Sequence, residues 1–113
     1  DWWDQSWASP ENGKAHFVQL DFPNPTRVKR VAIYWSLDGG VMRTARKLRL
    51  ETGTAGETKT LWSGNDLQRS PVTIIDLPAA SSVESLRLVQ PADGGPAERP
   101  GIMWIREVEV FGK

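Results

Sequence analysis

The sequence contains no cysteine, a single histidine and a single tyrosine, and its 14 basic side chains are balanced by 14 acidic ones. Without cysteine there is neither a disulfide scaffold nor a thiol nucleophile, although this says little about compartment, since many bacterial secreted proteins use none. Neither a zinc cluster nor a Ser-His-Asp arrangement has more than a single imidazole, His16, to draw on. A histidine that opens a strand reads as a surface or half-buried packing residue. Zero net charge removes the long-range attraction behind most nucleic-acid and anionic-lipid binding, and no run of Lys or Arg exceeds two residues. No stretch approaches the roughly 18 apolar residues of a membrane span, and no signal-like charged-then-apolar segment opens the chain.

What remains is 113 residues, 39% of them apolar, which suffices for one hydrophobic core and a single domain over residues 1–113. Ten glycines and eight prolines leave few uninterrupted windows, so long helices have no room. Inside the windows the pattern is β-branched with period two, the signature of strands. Seven strands are expected, over 16–21, 27–35, 45–51, 58–62, 72–77, 83–89 and 102–111. Alternation turns Val18, Leu20, Val31, Ile33, Leu48, Leu50, Leu86, Leu88, Val108 and Val110 inward, and Gln19, Lys47, Arg49, Arg87 and Glu109 outward. Turn chemistry falls at Pro23-Asn24-Pro25, Asp38-Gly39-Gly40, 53–56, Gly64-Asn65-Asp66 and Pro78, and 91–101 reads as an ordered surface loop. The expected class is all-β, an antiparallel β-sandwich or jelly roll.

Catalytic parts are scarce. Asp38-Gly39-Gly40 lacks the following helix and the lysine of a phosphate loop, so it is a turn. Glu107 and Glu109 share one side of a strand at about 7 Å, a spacing that superficially suits an inverting glycosidase. The plainer reading is a solvated strand face with one candidate metal ligand. So small a sandwich has little depth for a water-excluding cleft, and a non-catalytic binding domain is expected.

Three segments together resemble the discoidin, or coagulation factor 5/8 C-terminal, family, and within it the bacterial family 32 carbohydrate-binding modules. They are Trp3-Asp4-Gln5-Ser6-Trp7-Ala8-Ser9; Phe17-Val18-Gln19-Leu20-Asp21-Phe22-Pro23 with Val28-Lys29-Arg30-Val31-Ala32-Ile33-Tyr34-Trp35; and Ile105-Arg106-Glu107-Val108-Glu109-Val110-Phe111-Gly112. Leu86-Arg87-Leu88-Val89 fits the family's penultimate strand. The resemblance implies an eight-stranded, galactose-binding-domain-like jelly roll whose first strand and acidic loop would lie before Asp1 or be replaced. It implies a structural calcium held by Glu107 with Asp1 or Asp4. The absence of cysteine sets the chain closer to the bacterial sugar binders than to the disulfide-closed, membrane-inserting vertebrate members.

The resemblance also places a ligand at one end of the sandwich, on Asp4 and Ser6, on Trp35 through Asp38, and on Ile102 through Trp104. Sugar recognition wants such parts, an indole face for pyranose C–H bonds and planar polar groups for adjacent hydroxyls. Asp4 stands where His is frequent in the galactose binders, and Trp35-Ser36 where Arg is frequent. Arg43, Arg99 or Glu98 are candidates to supply the missing polar group. Among the tryptophans, Trp7 and Trp62 read as packing residues, one of Trp2 and Trp3 as packed and the other exposed, and Trp35, at a strand end facing the loops, as the stacking platform. Trp104 shares parity with Val108 and Val110, which reads as core, yet lies in a loop segment that the resemblance assigns to the ligand. The expected function is a non-catalytic carbohydrate-binding module of a larger secreted bacterial enzyme, extracellular, cell-surface or periplasmic, with a glycan as partner and neither nucleic acid nor membrane insertion. A protein-interaction or scaffold domain of the same fold is the alternative.

Overall fold

Two long strands carry the architecture of the computed structural model, which describes residues 2–3, 7–54 and 57–113. The elements are β1 (Trp2–Trp3), β2 (Trp7–Ala8), β3 (His16–Trp35), β4 (Leu37–Asp38), β5 (Val41–Met42), β6 (Leu48–Thr54), β7 (Glu57–Gly64), β8 (Val72–Gln90) and β9 (Trp104–Phe111). β3 and β8 pair antiparallel from His16↔Gln90 to Tyr34↔Val72, with two breaks in register.

The breaks explain where the prolines went. Between Asp21↔Ser85 and Thr26↔Val83 the surplus residues are on β3, and between Val28↔Ser81 and Arg30↔Asp76 they are on β8. Pro23 and Pro25 lie in the first surplus and Pro78 in the second. Proline has no amide proton to give a ladder, so residues left out of the pairing are where it fits. The expectation of turns at Pro23-Asn24-Pro25 and Pro78, dividing four short strands, is therefore corrected. These prolines bend two continuous strands, and the expected strands 16–21 and 27–35 are halves of β3, as 72–77 and 83–89 are halves of β8. The expected strands over 45–51 and 102–111 begin later, at Leu48 and Trp104.

Bent in this way, each long strand serves two layers. The first half of β3 pairs with the second half of β8, which pairs on with β6 and then β7. The second half of β3 lies between the first half of β8 and β9, and β1 and β2 pair along β9. Val18, Leu50, Leu86 and Leu88 from one layer meet Val31, Ile33, Ile75, Val108 and Val110 from the other in one apolar cluster. Two faces packed in this manner make a β-sandwich. Between them lies a void of only about 10 Å³, lined by Val18, Leu20, Val31, Leu50, Leu86, Leu88 and Val108. That is barely room for a water, so this part of the core holds no ligand. Among the described residues no helix is long and apolar enough to cross a membrane.

β4 and β5 form a separate small hairpin. Gly39 and Gly40 join them at φ of 58° and 79°, the left-handed pair a tight two-residue turn demands, as the Asp38-Gly39-Gly40 signal predicts.

Candidate ligand-binding site

The end of β3, the starts of β8 and β9, the end of β7 and the β8–β9 connection all meet at one end of the sandwich. The connection, residues 91–103, is fastened on several sides. The amides of Arg46 and Lys47 both donate to the Gly94 carbonyl, at 2.8 and 3.1 Å, and Arg46 Nε and Nη2 donate to the carbonyls of Gly95 and Asp93. His16 Nε2 bonds the Gly101 carbonyl at 2.8 Å, and the buried Gln90 donates to the Ile102 carbonyl. His16 is thus a packed, loop-fastening residue at a strand start, and it is buried rather than at the surface or half-buried as expected from sequence. Gly101 permits the close approach of the 9–15 segment, since a Cβ there would lie 2.5 Å from the Asn12 carbonyl oxygen.

The two tryptophans at this end, both named from sequence as ligand residues, part company. Trp35 is only 1% exposed, and its indole N–H donates to Thr73 Oγ1 at 2.8 Å. It is a core residue and offers no face to a ligand, which corrects its assignment as the stacking platform. Its parity with Val31 and Ile33 prevails because the hairpin and the 66–71 loop cover the strand end. Trp104 is only half-buried. The β3–β9 ladder passes from Tyr34↔Glu107 to Trp35↔Ile105, one step on β3 against two on β9. This bulge at Arg106 reverses the alternation, so that Met103 and Ile105 enter the core and Trp104 leaves it. Trp62 packs partly buried against the core.

Around Trp104 runs a chain of alternating charges. Glu11 accepts a bidentate pair from Arg99, Nη2 to Oε1 at 2.8 Å and Nε to Oε2 at 3.1 Å. Arg99 Nη1 donates to Asp38 Oδ2 at 3.0 Å, and the same oxygen accepts Arg43 Nε at 3.0 Å and lies 3.0 Å from Arg43 Nη2. Arg43 reaches Glu98 at 3.7 Å, and Glu98 accepts from Arg69. Three guanidiniums and three carboxylates thus tie the 9–15 segment, the hairpin, the 66–71 loop and the 91–103 connection together. Hydrogen bonding from Arg99 lowers the pKa of Glu11 and that from Arg69 lowers the pKa of Glu98, while Glu11 and Asp38 raise that of Arg99. The Arg99 guanidinium lies over the Trp104 ring, 5.9 Å from its centroid. Beneath the chain Arg43 Nη1 and Ser36 Oγ are buried without a hydrogen-bond partner, on residues whose backbones bond directly.

Of the ligand residues expected from sequence, Asp38, Arg43 and Trp104 come together here, joined by Glu98 and Arg99. Asp4 and Ser6 lie outside the described residues, as do the side chains of Trp2, Trp3 and Trp7. Glu11 and Arg69 carry no local sequence signal: their partners are 88 and 29 residues away. Glu107, expected on a solvated face beside Glu109, is instead buried, with Arg106 at 3.4 Å. Among the described residues no group of three ligand-bearing side chains gathers to hold a metal. Of the residues expected to hold calcium, Glu107 is described, and Asp1 and Asp4 lie outside the described set.

Solved structures share this fold. Chitosan-binding module 1 from a chitosanase/glucanase of Paenibacillus sp. IK-5 superposes with a TM-score of 0.75 at 17% identity, over 95% of this chain and 76% of that one. The chain has the fold of the family 32 carbohydrate-binding modules. The C. perfringens NanJ family 32 module, solved with galactose, gives a TM-score of 0.75 at 13% identity over 93% of this chain and 74% of the module. A Ruminococcus gnavus GH29 fucosidase, solved with fucose, gives 0.69 at 15% identity over 94% of this chain but only 19% of the fucosidase. The module fold therefore also occurs as a small part of a large enzyme. No family model matches the sequence, and no curated protein matches it by sequence.

Proposed function

We propose that this domain is a non-catalytic carbohydrate-binding module whose ligand rests on the loop end around Trp104, Asp38 and Arg43. The observation that carries the reading is the partly exposed Trp104 indole, turned out of the core and linked through Arg99 to a fixed aspartate–arginine pair. An indole supplies the apolar face of a sugar site, and the carboxylate and guanidinium supply planar, directional partners for its hydroxyls. The neighbours in fold support it, being modules named for chitosan or solved with galactose. By the same support the domain is an accessory part of a larger secreted bacterial enzyme, acting outside the cell and raising that enzyme's local concentration on a glycan.

Titration with chitosan oligosaccharides, galactose and fucose, read by thermal shift and tryptophan emission, tests this. A ligand bound only by the native state raises the melting temperature by mass action. The expected result is a shift with at least one sugar class that Trp104→Ala abolishes while the fold persists. A flat response to a broad glycan panel by the folded protein would overturn it. A second reading, a protein-interaction domain, is favoured by Leu37, 63% exposed on the hairpin at this same end. It predicts a partner lost on Leu37→Asp and not displaced by any sugar.

A further inference from the structure

Two arginines donate to one oxygen of Asp38, and they are not equivalent. The Arg43 side chain is only 11% exposed, directs Nε and Nη2 at Asp38 Oδ2, and follows directly on β5 with its amide bonded to the Ser36 carbonyl. It is part of the framework. Arg99 gives Nη1 to the same oxygen, but its side chain is about a third exposed, as is that of Asp38, and its other carboxylate partner, Glu11, is nearly half-exposed. Its backbone is fixed: the Arg99 amide donates to the Pro96 carbonyl at 2.9 Å and its carbonyl accepts from Ile102 at 3.2 Å. The part free to move is the side chain alone.

What that side chain covers is the indole of Trp104. A guanidinium over an aromatic face is held by the ring's negative potential, and the bidentate grip of Glu11 with the bond to Asp38 orients it there. Each of these contacts is individually weak at a solvated surface, and the exposed ion pairs are screened by salt. Contacts of this kind are readily exchanged for water or for a ligand. The guanidinium is bonded both to the 9–15 segment, through Glu11, and to the hairpin, through Asp38, so a ligand stacking on the indole face it overlies competes with it for that place.

We propose that Arg99 is a latch over the Trp104 indole, closed by Glu11 and Asp38, and that it determines which ligands gain access to that ring. The latch itself stands on geometry alone. Its effect on ligand choice rests on the carbohydrate-binding reading. A ligand that stacks on the covered face must replace the guanidinium there, so its affinity is lowered by the free energy of closing the latch. Ligands using only the rim of the site are unaffected, and the latch discriminates between the two kinds.

The test uses the whole domain labelled with 5-fluorotryptophan, with the residue 104 signal assigned by its disappearance in Trp104→Phe. Broadening of that signal by a neutral gadolinium chelate reports exposure of the ring. Arg99→Ala and Glu11→Ala are each expected to increase the broadening at residue 104, and 1 M salt to do so in the unaltered protein. Glu11→Ala alters an exposed side chain and keeps the test decisive should Arg99→Ala impair folding. Equal broadening in all variants overturns the latch. For a sugar that the unaltered protein binds through Trp104, Arg99→Ala is expected to tighten binding about three- to tenfold, the size of a surface ion pair plus a cation–π contact, and Glu11→Ala about two- to threefold, the size of the ion pair alone. Unchanged affinity alongside increased exposure would overturn the access role. If no sugar binds at all, it is the carbohydrate reading that fails, and the broadening still decides the latch.

Discussion

Trp35 and Ile105 are register partners across β3 and β9, although the neighbouring pair Tyr34 and Glu107 would set Trp35 opposite Arg106. That one-residue slip buries both partners and turns Trp104 outward. A polar arginine is thereby kept out of the core, where its charge would stand desolvated.

The two tryptophans should accordingly respond in opposite ways to truncation. Trp35→Ala removes a fully buried indole and its bond to Thr73, and is expected to cost about 3–5 kcal/mol in urea denaturation. Trp104→Ala is expected to cost less than about 2 kcal/mol and to abolish glycan binding. Equal destabilisation by the two would contradict the assignment of Trp104 to the surface.

Asp38 compensates an arginine that is mostly withdrawn from water. Asp38→Ala leaves Arg43 with Glu98, 3.7 Å away, as its remaining charged neighbour. A loss of about 2–3 kcal/mol is expected, more than an exposed ion pair is worth. A double-mutant cycle with Arg99→Ala should show coupling, because both arginines share one carboxylate oxygen.

The charge chain also fixes a pH dependence. Glu11 and Glu98 have pKa values lowered from 4.5 by hydrogen bonds from Arg99 and Arg69 respectively. A carboxyl whose pKa is lower folded than unfolded stabilises the native state fully above the unfolded value and ceases to do so as pH falls through the folded one. The melting temperature is therefore expected to gain nothing from these two groups on raising pH above neutrality, and to fall below about pH 4.5. Glu11→Gln with Glu98→Gln should flatten the acid limb. Both groups are exposed, so the effect is small and is best read as a difference between the two titration curves.

Gly101 should resist replacement. A methyl group there would meet the Asn12 carbonyl oxygen at 2.5 Å, in backbone that also accepts the His16 hydrogen bond. Gly101→Ala is expected to cost about 1–3 kcal/mol and to shift Trp104 emission, because the connection that positions Arg99 and Trp104 must move. Gly13→Ala, where a Cβ meets nothing within 4 Å, serves as the control.

Much of the fold was legible locally. Alternation named about half of the core, from Val18 to Val110, and Asp38-Gly39-Gly40 announced its turn, because side-chain period and glycine's φ range act within a few residues. Pro23, Pro25 and Pro78 misled because proline excludes a ladder bond without saying whether the chain turns or merely bulges. The candidate site was legible only in part. Asp38, Arg43 and Trp104, each named from sequence, gather at one end of the sandwich, whereas Glu11 and Arg69 acquire their meaning from partners far along the chain.

The sequence by itself determined that the chain is built from amphipathic strands around one apolar core, with no cysteine and a single histidine. The tertiary structure alone decided which strands merge, which tryptophan enters the core, and which charges meet over the other. Alternation carries parity along a single strand because successive side chains point to opposite faces. A bulge reverses that parity, and its position on β9 is set by the pairing with β3, a strand far away in the chain.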